Sequence, residues 1–312
     1  MSSAGPIAEP IMASPDEPVA TAAPARPQTY RAVRRRRPYL ALLRYAALAL
    51  ALLFFLFPIF WVVTTSLKLP GEYMARPPHL VPDDPTLLHY RSVLNAKGRL
   101  ALRNSAVVAT SATLASLLVG TLAAYALARF NTGGKHFAFW LLSQRMMPPV
   151  VLVVPFFLLL RDTGKRVDAF GLDTRLALIA LYTVFNLPFV IWLMRSYFEG
   201  VPRELEEAAM VDGGTRMGVF RRITLPLSLP GLIATGTFAF IFSWTEFIFA
   251  VTLTRTDAVT LPVAIAGFTG SQGSNYGQAS ALAVIATAPV FALSLLVQKH
   301  FARGLTLGAV RG

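Results

Sequence analysis

The sequence contains no cysteine. Disulfides, thiolate metal ligands and a cysteine nucleophile are therefore excluded, although the redox compartment stays open. Charge is also scarce: 14% of residues are Asp, Glu, Lys or Arg, against about 25% in soluble domains. The four histidines, His79, His89, His136 and His300, form no H-E-x-x-H or other ligand spacing. No G-x-x-x-x-G-K-[ST] string occurs, and the "GGKHF" beginning at Gly133 lacks that spacing. No Ser/His/Asp arrangement has a shared pocket. These absences describe a non-catalytic chain, with no cofactor and no metal expected.

What is present is apolar. The 312 residues are 54% hydrophobic, and the mean hydropathy of +0.54 points to an integral membrane protein. The formal charge is +13, and its basic residues cluster between apolar runs. Lys and Arg in that position set membrane orientation, so no nucleic-acid partner is expected. Residues 1 to 30 are rich in Pro, Ala and Ser, and "RAVRRRRPYL" follows. Segment 1–37 reads as a disordered basic cytoplasmic tail, held near anionic membrane lipid. The first apolar run starts near Tyr45. It is too long for a signal-peptide core and ends at Lys68 rather than at a cleavage site.

Six segments have the ~20 apolar residues that a helix needs to cross a ~30 Å hydrocarbon core. They are Tyr45–Leu67, Asn104–Leu127, Phe137–Leu160, Leu176–Met194, Gly231–Leu253 and Ala279–Val297. Helices are expected because backbone groups in lipid must pair within their own segment, and barrel-type alternation is absent. Lys and Arg are in excess on the side that carries both ends, which places the termini in the cytoplasm. The chain then divides into the tail, a first span with an extracytoplasmic loop (38–99), and a five-helix membrane domain (100–312). The outer connection after Lys68 is Pro-rich, with a short helix expected near Leu87–Leu94. The later outer stretch "TDAVTLPVAIAGFTGSQGSNYGQ" is either a flexible surface or a re-entrant piece.

Between the fourth and fifth spans lies a polar insert, 202–230, containing "EAAMVDGGTRMGVFRRITLP". Pro202 suits a first helical turn, and Glu204, Glu206 and Glu207 complement the helix dipole. Leu205, Ala208, Ala209 and Asp212 share one face. Gly213-Gly214 supplies left-handed backbone to end the helix, and Thr215 can cap the next. Met217, Phe220 and Ile223 give that second helix an apolar edge, and Pro226 and Pro230 bend the chain into the fifth span. An amphipathic loop lying on lipid headgroups is one reading. The acidic first helix and the tight glycine corner suit docking in a protein cleft better.

The order Glu207-Ala208-Ala209, Gly213, Ile223-Thr224-Leu225-Pro226 resembles the EAA loop of bacterial ABC-importer permeases. The likeness extends to "SQRMMPPVVLVVPFFLLL", "FIFSWTEFIFAVTLT" and "VQKHFARGLTLGAVRG", and covers roughly residues 40 to 312. It is nearest the smaller permease subunit of maltose-type sugar importers. Thr245 departs from the Asn common in the related "SWNEF" stretch. The resemblance implies an all-α, integral membrane six-helix bundle of the ABC-importer permease (MetI-like) type, with a cytoplasmic EAA coupling loop, in the bacterial inner membrane. It implies four kinds of partner: a second homologous permease in a heterodimer, two ATP-binding subunits, an extracytoplasmic solute-binding protein and a carbohydrate. ATP would be hydrolysed in the partner subunit. By the same resemblance, Glu207, Ala208, Ala209, Asp212 and Gly213 form the docking corner, Met217 and Phe220 its apolar contacts, and Leu225 and Pro226 its exit. The C-terminal tail would reach toward the ATPase.

Three membrane positions are candidates for the translocation path: Asn186, Trp244 and Glu246. Asn186 and Pro188 could open the fourth span locally. Trp244 offers an aromatic face to a sugar. Glu246 either lines the path or is a structural hydrogen-bond partner, because a charge in mid-span must be paired or wet. Arg145, inside the third span, either snorkels to the cytoplasmic interface or joins an interhelical pair. The alternatives to a carbohydrate importer are the same architecture serving a polyol or glycerol phosphate, and an ion-coupled secondary transporter. The second leaves the insert unexplained.

Overall fold

The computed structural model describes residues 38–95, 97–130, 132–269 and 275–308. The basic tail 1–37 and the C-terminal tip 309–312 lie outside them, as do the expectations placed there. The chain divides into two compact units whose boundary falls between Leu52 and Leu53. In the first, the described residues form the start of helix α1 (Pro38–Leu67). The second holds the remainder of α1 and twelve further helices among the described residues: α2 (Leu88–Asn95), α3 (Lys97–Phe130), α4 (Gly134–Ser143), α5 (Pro149–Gly164), α6 (Arg175–Glu199), α7 (Arg203–Val211), α8 (Arg216–Val219), α9 (Leu225–Leu227), α10 (Leu229–Trp244), α11 (Ile248–Leu253), α12 (Leu261–Phe268) and α13 (Tyr276–Gly308).

Among the described residues, four helical stretches are continuous and apolar enough to cross a membrane: Leu42–Leu67, Lys97–Phe130, Arg175–Glu199 and Tyr276–Gln298. They match the expected first, second, fourth and sixth spans. The expected third span is not one helix. It breaks between Met146 and Pro149 with a bend of 92°. Pro148 holds Met147 in an extended conformation (φ −72°, ψ 125°), as the residue before a proline prefers. The expected fifth span is also broken. Helix α10 has 16 residues, which at 1.5 Å each is about 24 Å, short of the ~30 Å core. The chain leaves helical form after Trp244 and resumes at Ile248. A bend of 77° at Ser228 separates this span from the insert, as the prolines led one to expect. Conversely, α6 runs unbroken through Pro188, so the expected opening of the fourth span does not occur.

The central pair is α3 against α6, with α10 packed on both and on α13. Small residues make the close approach, as in other lipid-embedded bundles where packing rather than water expulsion holds helices together. At Gly120 a Cβ would stand 2.6 Å from Val190 Cγ1 and 3.1 Å from its Cβ, and valine is stiff about χ1. Gly120→Ala should therefore lower stability by a net ~1–2 kcal/mol, overpacking exceeding the gain in helix propensity. Val190→Ala in the same chain should restore most of it, read by thermal unfolding in detergent.

The connections after α1 and after α11 are folded. The short helix expected near Leu87 is α2. Lys68 is fully buried, over the Trp61 ring at 4.4 Å, with its ammonium donating to the His79 carbonyl. Helix α12 packs on α3 and α13 with Leu261 in the core, which favours the re-entrant reading of that stretch. Asp173 pins the loop before it. Its φ of 58° is left-handed, a region Asp tolerates. Its carboxylate accepts from the backbone N–H groups of Arg255, Thr256, Asp257 and Ala258 and from the Thr256 hydroxyl. Partial burial pushes its pKa up, but the four backbone donors outweigh that and hold it well below the usual carboxylate range. Because the folded pKa is depressed, this contribution is complete above the unfolded value near ~4. It fades as pH falls from there through the folded value. Asp173→Asn should cost ~1–2 kcal/mol, allowing for solvent screening. The gap between variant and wild type, measured by unfolding at several pH values, should be constant from pH 5 to 8 and narrow only in stronger acid.

Candidate functional site

The insert folds as an elbow. Helix α7 starts after Pro202 and ends at Asp212, whose N–H donates to the Ala208 carbonyl. Gly213 takes φ +85° while Gly214 does not, so a single left-handed residue makes the corner. The N–H of Gly213 donates to Met210 O and that of Gly214 to Ala209 O, satisfying the last carbonyls of α7. Thr215 then caps α8, its hydroxyl accepting from Gly218 N at 3.2 Å. A π-helical turn, Phe220–Thr224, joins α8 to α9. Such turns are rare and frequently lie at functional sites.

Of the residues expected on the docking corner, Glu207, Ala208, Asp212 and Gly213 are exposed and Ala209 is half-buried. Met217 is 50% exposed, and Pro226 is exposed beside a half-buried Leu225. Phe220 is a correction. It is buried within this chain, its ring 4.6 Å from that of Tyr125 and 6.0 Å from that of Phe198. The turn that faces outward at Met217 faces the bundle at Phe220, so Phe220 holds the elbow in place and offers no surface to a partner.

The sequence did not single out Glu206. It is buried, and its Oε1 lies 2.9 Å from both Arg129 Nε and Arg129 Nη2 at the end of α3. The same oxygen accepts from Thr224 Oγ1 at 2.7 Å, and Oε2 from the Tyr125 hydroxyl at 3.3 Å. Arg129 also donates to Val201 O, and Arg203 to Ala128 O. Three glutamates sit in the first part of α7, and the pattern alone does not tell which faces inward. An arginine closing the second span was the available signal.

The two broken spans meet at a cavity of about 250 Å³ whose lining includes Arg145, Tyr182, Asn186, Phe242, Ser243 and Glu246. Asn186 is buried and donates to Ser243 Oγ at 2.8 Å and to Ala239 O. Glu246 sits in the gap after α10. It accepts from the Tyr182 hydroxyl at 2.6 Å and from the N–H groups of Phe249 and Ala250, the first turn of α11. It thus caps a helix and borders the cavity. Arg145 forms no ion pair among the described residues. Its guanidinium lies 4.2 Å over the Phe242 ring and 5.1 Å from that of Phe189, and it donates to Phe185 O. Trp244 is a second correction. It is 4% exposed, stacks on Phe240 and donates from Nε1 to Ala286 O on α13. It faces away from the cavity lining and serves packing.

A family model described as a binding-protein-dependent transport system inner membrane component matches residues 99–307. The trehalose transport system permease protein SugB of Mycobacterium tuberculosis is 36% identical over 285 residues, which cover 89% of this chain and 99% of the relative. The sulfoquinovosyl glycerol transport system permease protein SmoH of Agrobacterium fabrum is 36% identical over 273 residues, covering 86% of this chain and 94% of its own. Among solved structures, a bacterial ABC transporter involved in the import of the acidic polysaccharide alginate superposes with a TM-score of 0.70 at 24% identity. That match covers 86% of this chain and 98% of the other, a likeness of fold. With a helical bundle broken at two spans, an exposed elbow between α6 and α10 and these relatives, the chain belongs to the binding-protein-dependent transport system inner membrane components.

Proposed function

We propose that this chain is the transmembrane permease subunit of an ATP-binding-cassette importer, forming the path for a carbohydrate delivered by an extracytoplasmic solute-binding protein. The observation that carries this reading is the elbow. One side is rooted in the bundle through Glu206 and Phe220, while Glu207, Ala208, Asp212 and Met217 stand exposed on the other. Such a corner fits the groove of a separate ATP-hydrolysing subunit. Nucleotide binding to a pair of such subunits would bias the bundle between inward- and outward-open arrangements through differential affinity. Both termini are cytoplasmic, and a second homologous permease completes the path. Relatives named for trehalose, sulfoquinovosyl glycerol and diacetylchitobiose transport support a carbohydrate. Asn186 and Glu246 supply the polar contacts of the path, beside the Phe242 ring.

The test is uptake into proteoliposomes holding this chain, its partner permease and the ATPase, with the binding protein outside. Labelled trehalose, maltose, a polyol and glycerol 3-phosphate are offered in turn. ATP-dependent accumulation of a sugar is expected. Accumulation that needs an ion gradient but no ATPase subunit overturns the reading, and preference for the polyol or the phosphate overturns the carbohydrate.

A further inference from the structure

Surface helices ordinarily root themselves by an apolar stripe. Helix α7 does not. Leu205, Met210 and Val211 are 46%, 40% and 87% exposed, and its one buried side chain is that of Glu206. A buried ion pair is weak evidence for stability, since desolvation offsets much of the attraction. It does fix direction and distance, because charge-assisted bonds are short and geometrically demanding. Here the bonds converge. Glu206 takes two guanidinium contacts from the last turn of α3, and its Oε1 also accepts from Thr224, in the π turn that leaves the elbow. Arg129 and Arg203 cross-stitch the same two segments through Val201 O and Ala128 O. The entrance and exit of the elbow are thereby tied to one carboxylate and to one end of the central α3–α6 pair.

We propose that Glu206 and Arg129 are positioning residues that make the elbow and α3 move as one body, so that displacement of the elbow reaches the central helices without slack. This rests on the permease reading above. An apolar contact would hold α7 but let it slide; the forked pair does not.

The chain has no cysteine, so Val211→Cys and Val119→Cys can carry the only two spin labels in this subunit, both at exposed positions. The distance between them is measured by pulsed electron resonance in the complex with its ATPase, before and after MgATP with vanadate. The wild-type pair should give one narrow distribution that nucleotide does not shift. Glu206→Gln should broaden it at least twofold and let it shift, with ATP hydrolysis kept within about twofold. Arg129→Lys, which keeps the charge but loses the fork, should do the same more weakly. A wild-type distance that shifts, or a Glu206→Gln distribution as narrow as wild type, overturns the link. So does failure of both variants to assemble, which makes the pair a fold contact only. A wild-type chain that binds no ATPase overturns the permease reading instead, and the link with it.

Discussion

Ala208→Trp leaves the chain folded in the membrane and reduces ATP-driven uptake at least tenfold. Ala208 is exposed, in the middle of α7 and away from the Glu206 face, so the indole meets solvent in the isolated chain and strains nothing. Docked as proposed, it would meet the partner. Alanines at 208 and 209 leave a shallow surface, and an added ring holds a seated helix several ångströms off. Tight packing tolerates little excess volume. Gly213→Pro reaches the same end from the backbone. Proline fixes φ near −65°, whereas the corner requires +85°, so α8 leaves in another direction. Co-purification with the ATPase and uptake are measured side by side. Normal amounts of chain with lost uptake support the docking corner. Ala208→Trp complexes that transport normally remove Ala208 from it.

Glu246→Ala should be the most damaging change inside the bundle. It strips the cap from α11, at ~1 kcal/mol, and leaves the Tyr182 hydroxyl unpaired in a buried setting, at ~1–3 kcal/mol. Tyr182 is 3% exposed, so water offers little compensation. Glu246→Gln separates the structural from the electrostatic role. Its carbonyl oxygen still accepts from α11, so the fold should survive, while uptake should fall about tenfold if the charge serves the path. A Gln variant with unaltered uptake and melting would reduce Glu246 to a helix cap. Uptake and thermal unfolding of both variants, from the same membranes, decide the matter.

The reach of the sequence differed from element to element. Continuous spans were legible because twenty apolar residues in lipid leave the backbone little choice but a helix. The breaks were not. Apolar composition runs straight through Met146–Pro149 and is interrupted only by Thr245-Glu246 between Trp244 and Ile248, which does not by itself say that the chain turns. Pro148-Pro149 and the lone acid at 246 were the local signals, and the second acts only because Glu246 folds onto the N–H groups that follow. The elbow was well marked, since Gly213 and Thr215 carry their geometry in their own chemistry. The inward-facing glutamate was not. Glu204, Glu206 and Glu207 are alike until Arg129, 77 residues distant, selects one of them. Phe220 and Trp244 failed for a shared reason: an aromatic edge shows that something is covered, but not whether by the same chain or by another molecule.

The covered ammonium of Lys68 has a practical consequence. Lys165 exposes 70% of its side chain, while Lys68 is sealed beneath the Pro-rich connection. An amine-acylating reagent will modify the first and spare the second for as long as that connection stays folded. Mass-spectrometric appearance of label at Lys68 would therefore clock the opening of that connection, without any engineered probe.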